Sequence, residues 1–203
     1  MIWAMILAAG ESKRMGKPKL LLPYGKTTII ETAVENVVSS KVDQTLVVLG
    51  SCSAEIKEKI RRFPVITTFN PRYKEGMLSS VLRGMAVLPH SCEAVVVVLA
   101  DQPSVEAAVI DSLLEAFRTE KRGIIVPVYR KKRGHPFLID LKYREEMNEL
   151  NPEIGLRELL QKHPDDVFEV RVPGPAVLRD IDTAEDYSRA TKKREQRASQ
   201  RKD

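Results

Sequence analysis

Residues Leu7 to Lys19 read LAAGESKRMGKPK and set the small residues Ala8, Ala9 and Gly10 ahead of Lys13, Arg14, Lys17 and Lys19. Small residues let a backbone approach a ligand closely, and successive N–H groups can cradle phosphate oxygens. Arg14 offers a planar fork for such oxygens, and Lys19 a mobile point charge. The chemistry this points to is the holding of a phosphate chain. Without a ligand, the same residues make an exposed turn with scattered charge. Gly10 and Gly16 fit neither GxGxxG nor GxxxxGK[ST], which excludes the two commonest nucleotide loops.

Carboxylates and hydroxyls come next along the chain. Asp101 stands in Ala100-Asp101-Gln102-Pro103, directly after the all-apolar run Val95–Leu99. A carboxylate there can hold a divalent cation against phosphates, or make an Asx turn before the next helix. In Asp180-Ile181-Asp182-Thr183, alternation puts both aspartates on one side of an extended segment. One can complete a metal site with Asp101; otherwise they cap the following helix, although Thr183 already supplies a cap. Ser79 and Ser80 come after Gly76 and can cap a helix, offer hydroxyls at its N-terminus, or both. His135, in Arg133-Gly134-His135-Pro136, is a lone histidine of the kind more often structural than catalytic.

The elements that must position these groups alternate. Ile2–Leu7, Thr45–Leu49, Val65–Phe69, Ala94–Leu99 and Ile124–Val128 read as strands. Thr28–Ser40, opening with a Thr28/Glu31 capping box, Ala54–Arg62, Ser79–Leu88 and Val105–Arg118 read as helices. The alternation predicts an α/β fold, a mostly parallel sheet flanked by helices on both faces, with phosphate ligands at the carboxyl ends of the strands. Beyond Tyr129 the pattern changes. Pro136–Ile139, Val167–Val172 and Ala176–Arg179 read as strands, Tyr143–Leu150 and Leu156–Lys162 as helices, and Thr183 with Asp186 as the cap of a final helix. One domain over residues 1–190 and a charged tail over 191–203 are expected.

Composition narrows the function classes. The 203 residues are 43% hydrophobic and 30% charged, as in an ordinary globular protein. The net charge is +5, but residues 192–203 hold six basic and two acidic groups, +4 of that total, so the body is nearly neutral and no nucleic-acid partner is expected. Cys52 and Cys92 form no CxxC pattern, which argues against a disulfide framework or a zinc site. The longest apolar run, Ala94 to Ala100, is far short of the ~20 residues of a spanning helix. Met1–Ala9 lacks a basic leader and reads as a first strand, so a cytoplasmic protein without a membrane partner is expected.

The loop Leu7–Lys19 resembles the signature LAxGxSxRMGxxK of the MobA-like nucleotidyltransferases. Its Ala8-Ala9-Gly10 form resembles the cytidylyltransferase branch, where the guanylyltransferase branch more often carries Ala-Gly-Gly. GMLSSVLRG (76–84), the Asp101-Gln102-Pro103 string, DIDTAEDY (180–187), Gly134-His135-Pro136 and Gly155-x-Arg157 are similar to further elements of that family, so the resemblance spans Leu7 to Tyr187. It implies a Rossmann-like nucleotidyltransferase fold, GT-A-like. It implies that Arg14 and Lys19 hold a triphosphate and act in catalysis with Asp101. Leu7, Ala8, Ala9 and Gly10 then face base and sugar with Ser79 and Ser80; Asp101 and Asp182 bind Mg²⁺; His135 and Arg157 border an acceptor pocket.

The activity implied is transfer of CMP from CTP, or of another NTP's nucleotide, to the terminal phosphate of a pterin cofactor, molybdenum-molybdopterin, with release of pyrophosphate. A molybdoenzyme or its maturation factor is the implied protein partner. Three alternatives stand beside it. A cytidylyltransferase for methylerythritol phosphate shares LAAG but carries an HDAxRP-like string where this chain has ADQP. A sugar-phosphate nucleotidyltransferase carries GTRLxP where this chain has KRMGKPK. The third is a non-catalytic maturation factor that binds a nucleotide or pterin cofactor.

Overall fold

The computed structural model describes the backbone of residues 1–200 and the side chains of 1–196. In chain order the elements are β1 (Ile2–Ala8), the short pair β2 (Pro23–Tyr24) and β3 (Thr27–Thr28), α1 (Ile29–Val38), β4 (Gln44–Leu49), α2 (Ser53–Ile60), β5 (Ile66–Phe69), α3 (Met77–Met85) and β6 (Ala94–Leu99). Then come α4 (Ala107–Glu120), β7 (Ile124–Tyr129), β8 (Lys132–Arg133), β9 (Phe137–Asp140), α5 (Arg144–Met147), α6 (Leu156–Lys162), β10 (Val167–Arg171) and α7 (Ala184–Gln200).

The main sheet runs β10-β7-β9-β6-β1-β4-β5, with β8 paired to β7. β1 is parallel to β4 and β6, β4 to β5, and β7 to β10; β9 is antiparallel to both of its neighbours. Alternation along the buried strands feeds two cores. Ile2, Ala4 and Ile6 of β1, with Val96 and Val98 of β6, pack against α1 and α4. Trp3 and Met5, with Val95 and Val97, face α3 and α6. All six residues of β6 are buried, which is why that strand reads as a continuous apolar run. Burying each such valine is worth about 1.5–3 kcal/mol, so this strand is a firm base for Asp101 just beyond its end. The expected mostly parallel sheet with helices on both faces is thus observed.

Local chemistry explains most of the boundaries. Thr28 and Glu31 close the capping box of α1, and Thr183 Oγ1 accepts from the Asp186 N–H while Asp186 accepts from the Thr183 N–H, which starts α7. Three expectations are corrected. Ala176–Arg179 is not a strand: Pro175 lacks a ladder donor and begins a 3₁₀ turn, Pro175–Leu178. Ser79 and Ser80 do not cap α3; Gly76, at φ 100°, precedes it, and the serines lie inside its first turn. The helix expected over Tyr143–Leu150 is only α5, entered through a 3₁₀ turn at Leu141–Tyr143.

Of the expected charged tail, residues 201–203 lie outside the described residues. Before them, the Arg194 guanidinium sits 4.4 Å from the centroid of the Tyr24 ring, and Tyr187 donates its hydroxyl to the Pro23 carbonyl. No described helix is long and apolar enough to cross a membrane.

Candidate active site

β1 ends in the middle of the sheet, between β4 and β6, where the chain connections diverge to opposite sides. Crevices form at such points, outside the carboxyl ends of the strands. The loop that leaves β1 is pinned on both flanks: the Ala100 N–H donates to Leu7 O, and the Ser51 N–H to Ala9 O, each at 3.3 Å. Ser12 Oγ closes it by accepting from the Lys19 N–H at 3.2 Å. Gly50 is packed so tightly that a Cβ there would lie 2.6 Å from the Ala9 carbonyl oxygen and 2.7 Å from Tyr73 Cβ. Gly10 is the opposite case: a Cβ there meets nothing within 4 Å. It borders a cavity of about 420 Å³ that Leu7, Ala9, Arg14, Lys19 and Asp101 also line.

The floor of this cavity is a charge cluster. Lys19 Nζ lies 2.5 Å from Asp101 Oδ2 and 2.8 Å from Asp182 Oδ1, and Arg14 reaches Asp182 Oδ2 at 2.9 Å. The Lys19 side chain is 11% exposed, whereas that of Arg14 is 71% exposed, so the Lys19 ammonium is taken out of water and the Arg14 guanidinium is not. Burial pulls its pKa down, but the two carboxylates outweigh this and raise it, so Lys19 stays charged. Burial pushes the Asp101 carboxyl up, against the pull of Lys19 and with added repulsion from Asp180 and Asp182.

Asp182 reaches the cluster because the Ile181 N–H donates to the Asp101 carbonyl at 3.0 Å, with the Ile181 side chain buried. Gln102, almost fully buried, donates from Nε2 to Asp180 Oδ1 at 2.6 Å. The two aspartates expected on one side are therefore both on the cavity, Asp180 held by Gln102 and Asp182 placed by the Ile181 bond to Asp101.

These residues suit a hard divalent cation. Asp101 Oδ1 is buried and has no hydrogen-bond donor among the described residues, which leaves an acceptor oxygen for a cation beside the Asp182 carboxylate. No group of three or more His, Cys, Asp or Glu side chains that could hold a metal is gathered among the described residues. Two carboxylates with ligand phosphates completing the shell is the usual arrangement for Mg²⁺.

Opposite the loop, the start of α3 makes a wall. Ser80, Tyr73, Gly76 and Met77 line the cavity. Ser79 does not: its Oγ is spent on the Arg72 and Gly76 carbonyls at 2.9 and 2.8 Å. The Ala8 side chain likewise belongs to the core. His135 and Arg157 line a second cavity of about 380 Å³, together with Gln102 and Phe137, and Asp180 borders both cavities. The His135 ring stacks on Phe137, centroids 4.3 Å apart, and the His135 backbone N–H donates to the Val177 carbonyl. Burial drops the ring's pKa to about 4, against the opposing pull of Asp180 and with help from Arg157, so the ring is neutral at pH 7. Sequence reasoning missed Gln102, Asp180 as a shared wall, and the buried Asn70 behind the serines. The adjacency of Gln102 to Asp101 was the one available signal.

The family model described as MobA-like NTP transferase domain matches residues 4–167, leaving Asp180 and Asp182 beyond the matched span. The chain is similar to the nicotine blue oxidoreductase of Paenarthrobacter nicotinovorans, 29% identical with 93% of this chain and 95% of the relative covered. It is similar to the molybdenum cofactor cytidylyltransferase of Escherichia coli K12, 28% identical over 90% of this chain and 92% of the relative. Among solved structures it resembles Rv0371C of Mycobacterium tuberculosis H37Rv in complex with manganese: TM-score 0.80, 25% identity, 94% of this chain and 98% of that one covered.

Proposed function

The chain belongs to the family of MobA-like NTP transferase domains, and on that premise we propose that it transfers CMP from CTP to the terminal phosphate of molybdenum-molybdopterin, releasing pyrophosphate. The observation that carries this reading is the pair of cavities sharing Asp180. One has a glycine-bordered floor where Lys19 and Arg14 can meet a triphosphate and Asp101 and Asp182 its counter-cation, and the other has Arg157 and a neutral His135 for a second substrate. Transfer between two bound substrates needs such adjacent sites.

A phosphate monoester is already anionic near neutral pH, so no strong general base is required. Charge repulsion between two anionic substrates is the obstacle, and catalysis is positioning plus neutralisation. Asp101 and Asp182 would hold a Mg²⁺, which when bound would neutralise phosphate charge. Lys19 and Arg14 exchange their carboxylate partners for phosphate oxygens. An acceptor phosphate oxygen then attacks the α-phosphorus, the bond from α-phosphorus to the bridging oxygen breaks, and its electron pair leaves with pyrophosphate beside Lys19. Gly10 leaves room for the nucleoside, and Arg157 orients the acceptor.

The E. coli relative supports the pterin acceptor, and the manganese complex supports a divalent ion. A second reading, a redox reaction in the same cavity, is favoured by the relative named as an oxidoreductase at similar identity. One experiment separates them. The pure protein is incubated with each NTP, Mg²⁺ and molybdenum-loaded molybdopterin, and products are identified by mass. A CMP adduct with stoichiometric pyrophosphate, formed faster from CTP than from GTP, is expected. Absence of any nucleotide adduct or pyrophosphate sinks the proposal, and an adduct formed faster from GTP sinks the choice of CTP.

A further inference from the structure

We propose, resting on the nucleotide-transfer reading, that Asn70 is a positioning residue that turns the Ser80 hydroxyl hydrogen into the cavity, so that the site reads a hydrogen-bond acceptor atom on the nucleoside. Asn70 comes directly after β5, is 2% exposed, and is anchored by its N–H to the Leu49 carbonyl at 2.8 Å. Its amide orientation is fixed by a group that has no choice. The Arg72 N–H can only donate, and it lies 3.0 Å from Asn70 Oδ1. The amide NH₂ therefore faces the other way, where it meets Ser79 Oγ at 2.9 Å and Ser80 Oγ at 3.0 Å.

An NH₂ group only donates, so both serine oxygens accept. Each must send its own hydrogen elsewhere. Ser79 has the Arg72 and Gly76 carbonyls, which only accept. Ser80 has no other hydrogen-bond partner among the described residues, and it is the serine that lines the cavity. Its hydrogen is left for a ligand. A bound acceptor atom satisfies it, whereas a ligand N–H or O–H can use only the second lone pair of Ser80 Oγ and leaves the hydroxyl hydrogen unpaired, which disfavours it. Discrimination of this kind is strong because the mismatched groups stay buried and unpaired. Asn70 does not touch the cavity; it acts through Ser80.

The test is calorimetric titration of the wild type, Ser80→Ala, Asn70→Ser and the double variant with each NTP and with inorganic tripolyphosphate, all with Mg²⁺. Asn70→Ser keeps a hydroxyl able to accept from the Arg72 N–H but is too short to hold both serines. Each single change is expected to weaken the best-bound NTP about tenfold, leave tripolyphosphate within about twofold, and show no further loss when combined. A merely structural role for Asn70 would weaken tripolyphosphate equally. That result, an unchanged NTP affinity, or effects that multiply would overturn the proposal. If thermal melting shows Asn70→Ser unfolded, Ser80→Ala decides on the same two ligands, since it leaves Asn70 bonded to Arg72 and Ser79. A wild type that binds no NTP defeats the nucleotide reading and this proposal together, whereas tight NTP binding that Ser80→Ala leaves intact defeats this proposal alone.

Discussion

Lys19 Nζ and Asp101 Oδ2 stand 2.5 Å apart, with the same ammonium 2.8 Å from Asp182. The lysine expected to meet phosphates thus holds together the two carboxylates expected to meet a metal. It offsets the repulsion that Asp182 exerts on Asp101. On the proposed function, phosphates would compete with the two carboxylates for the Lys19 ammonium, and a cation would compete with that ammonium for the carboxylates.

Replacing Lys19 by Met tests that competition. Without the ammonium, the aspartates repel across the cleft, and stability in EDTA is expected to fall by about 1–3 kcal/mol. Bare Mn²⁺, followed by its electron paramagnetic resonance signal, is expected to bind about tenfold more tightly than to wild type, while CTP binding weakens. Unchanged Mn²⁺ affinity would show that Lys19 does not compete with the cation.

Asp101→Asn and Asp182→Asn are expected to cut turnover at least about a hundredfold at limiting Mg²⁺, partly restored by excess Mg²⁺ or Mn²⁺. The double change should cost little more than the worse single one, because groups acting as a unit are non-additive. Full activity of Asp182→Asn at limiting Mg²⁺ rules it out as a metal ligand.

His135 gives a pH signature. Its folded pKa, about 4, lies below the ordinary histidine value of 6.5. Between these values the unfolded chain binds the extra proton and the native one does not, so stability rises with pH across that window and is lost as pH falls from 6.5 towards 4. The Asp180 carboxylate opposes the shift and Arg157 adds to it. His135→Gln should flatten the urea-derived stability between about pH 6.5 and 4.5 by an amount on the order of 1–2 kcal/mol. An equally steep profile in the variant would assign the acid sensitivity to other groups.

Removing residues 192–203 is expected to leave turnover within about tenfold of wild type, since Arg194 contacts Tyr24 rather than the charge cluster. Stability should fall by about 0.5–1 kcal/mol with loss of that cation–π contact. A larger loss of turnover would tie the end of α7 to the site.

The sheet was legible because β6 and β1 carry apolar runs that only a strand covered on both faces requires, and the capping boxes at Thr28 and Thr183 marked two helix starts. The placement of Arg14, Lys19 and Asp101 on one cavity was legible from charge and small residues directly after those strands. Three things were not. Pro175 turned an apolar stretch into a 3₁₀ turn. Ser79 and Ser80, identical in type and adjacent, share Asn70, but only Ser80 lines the cavity, because a helix separates their directions by about 100°. Asn70 and Gln102 act through contacts far away in sequence, to which local periodicity is blind.

The hydrogen bond from the Ile181 N–H to the Asp101 carbonyl has a consequence for how the protein is made. Translation delivers the loop after β1 first, then Asp101, and Asp182 only near the end. A nascent chain that has emerged as far as β10 holds the loop after β1 and the start of α3 but only one of the two cluster carboxylates. Lys19 then has half of its counter-charge, and the cleft stays unfinished until the last extended segment docks. The order of synthesis therefore keeps the partly made protein from gathering its full charge cluster before the sheet beneath it is complete.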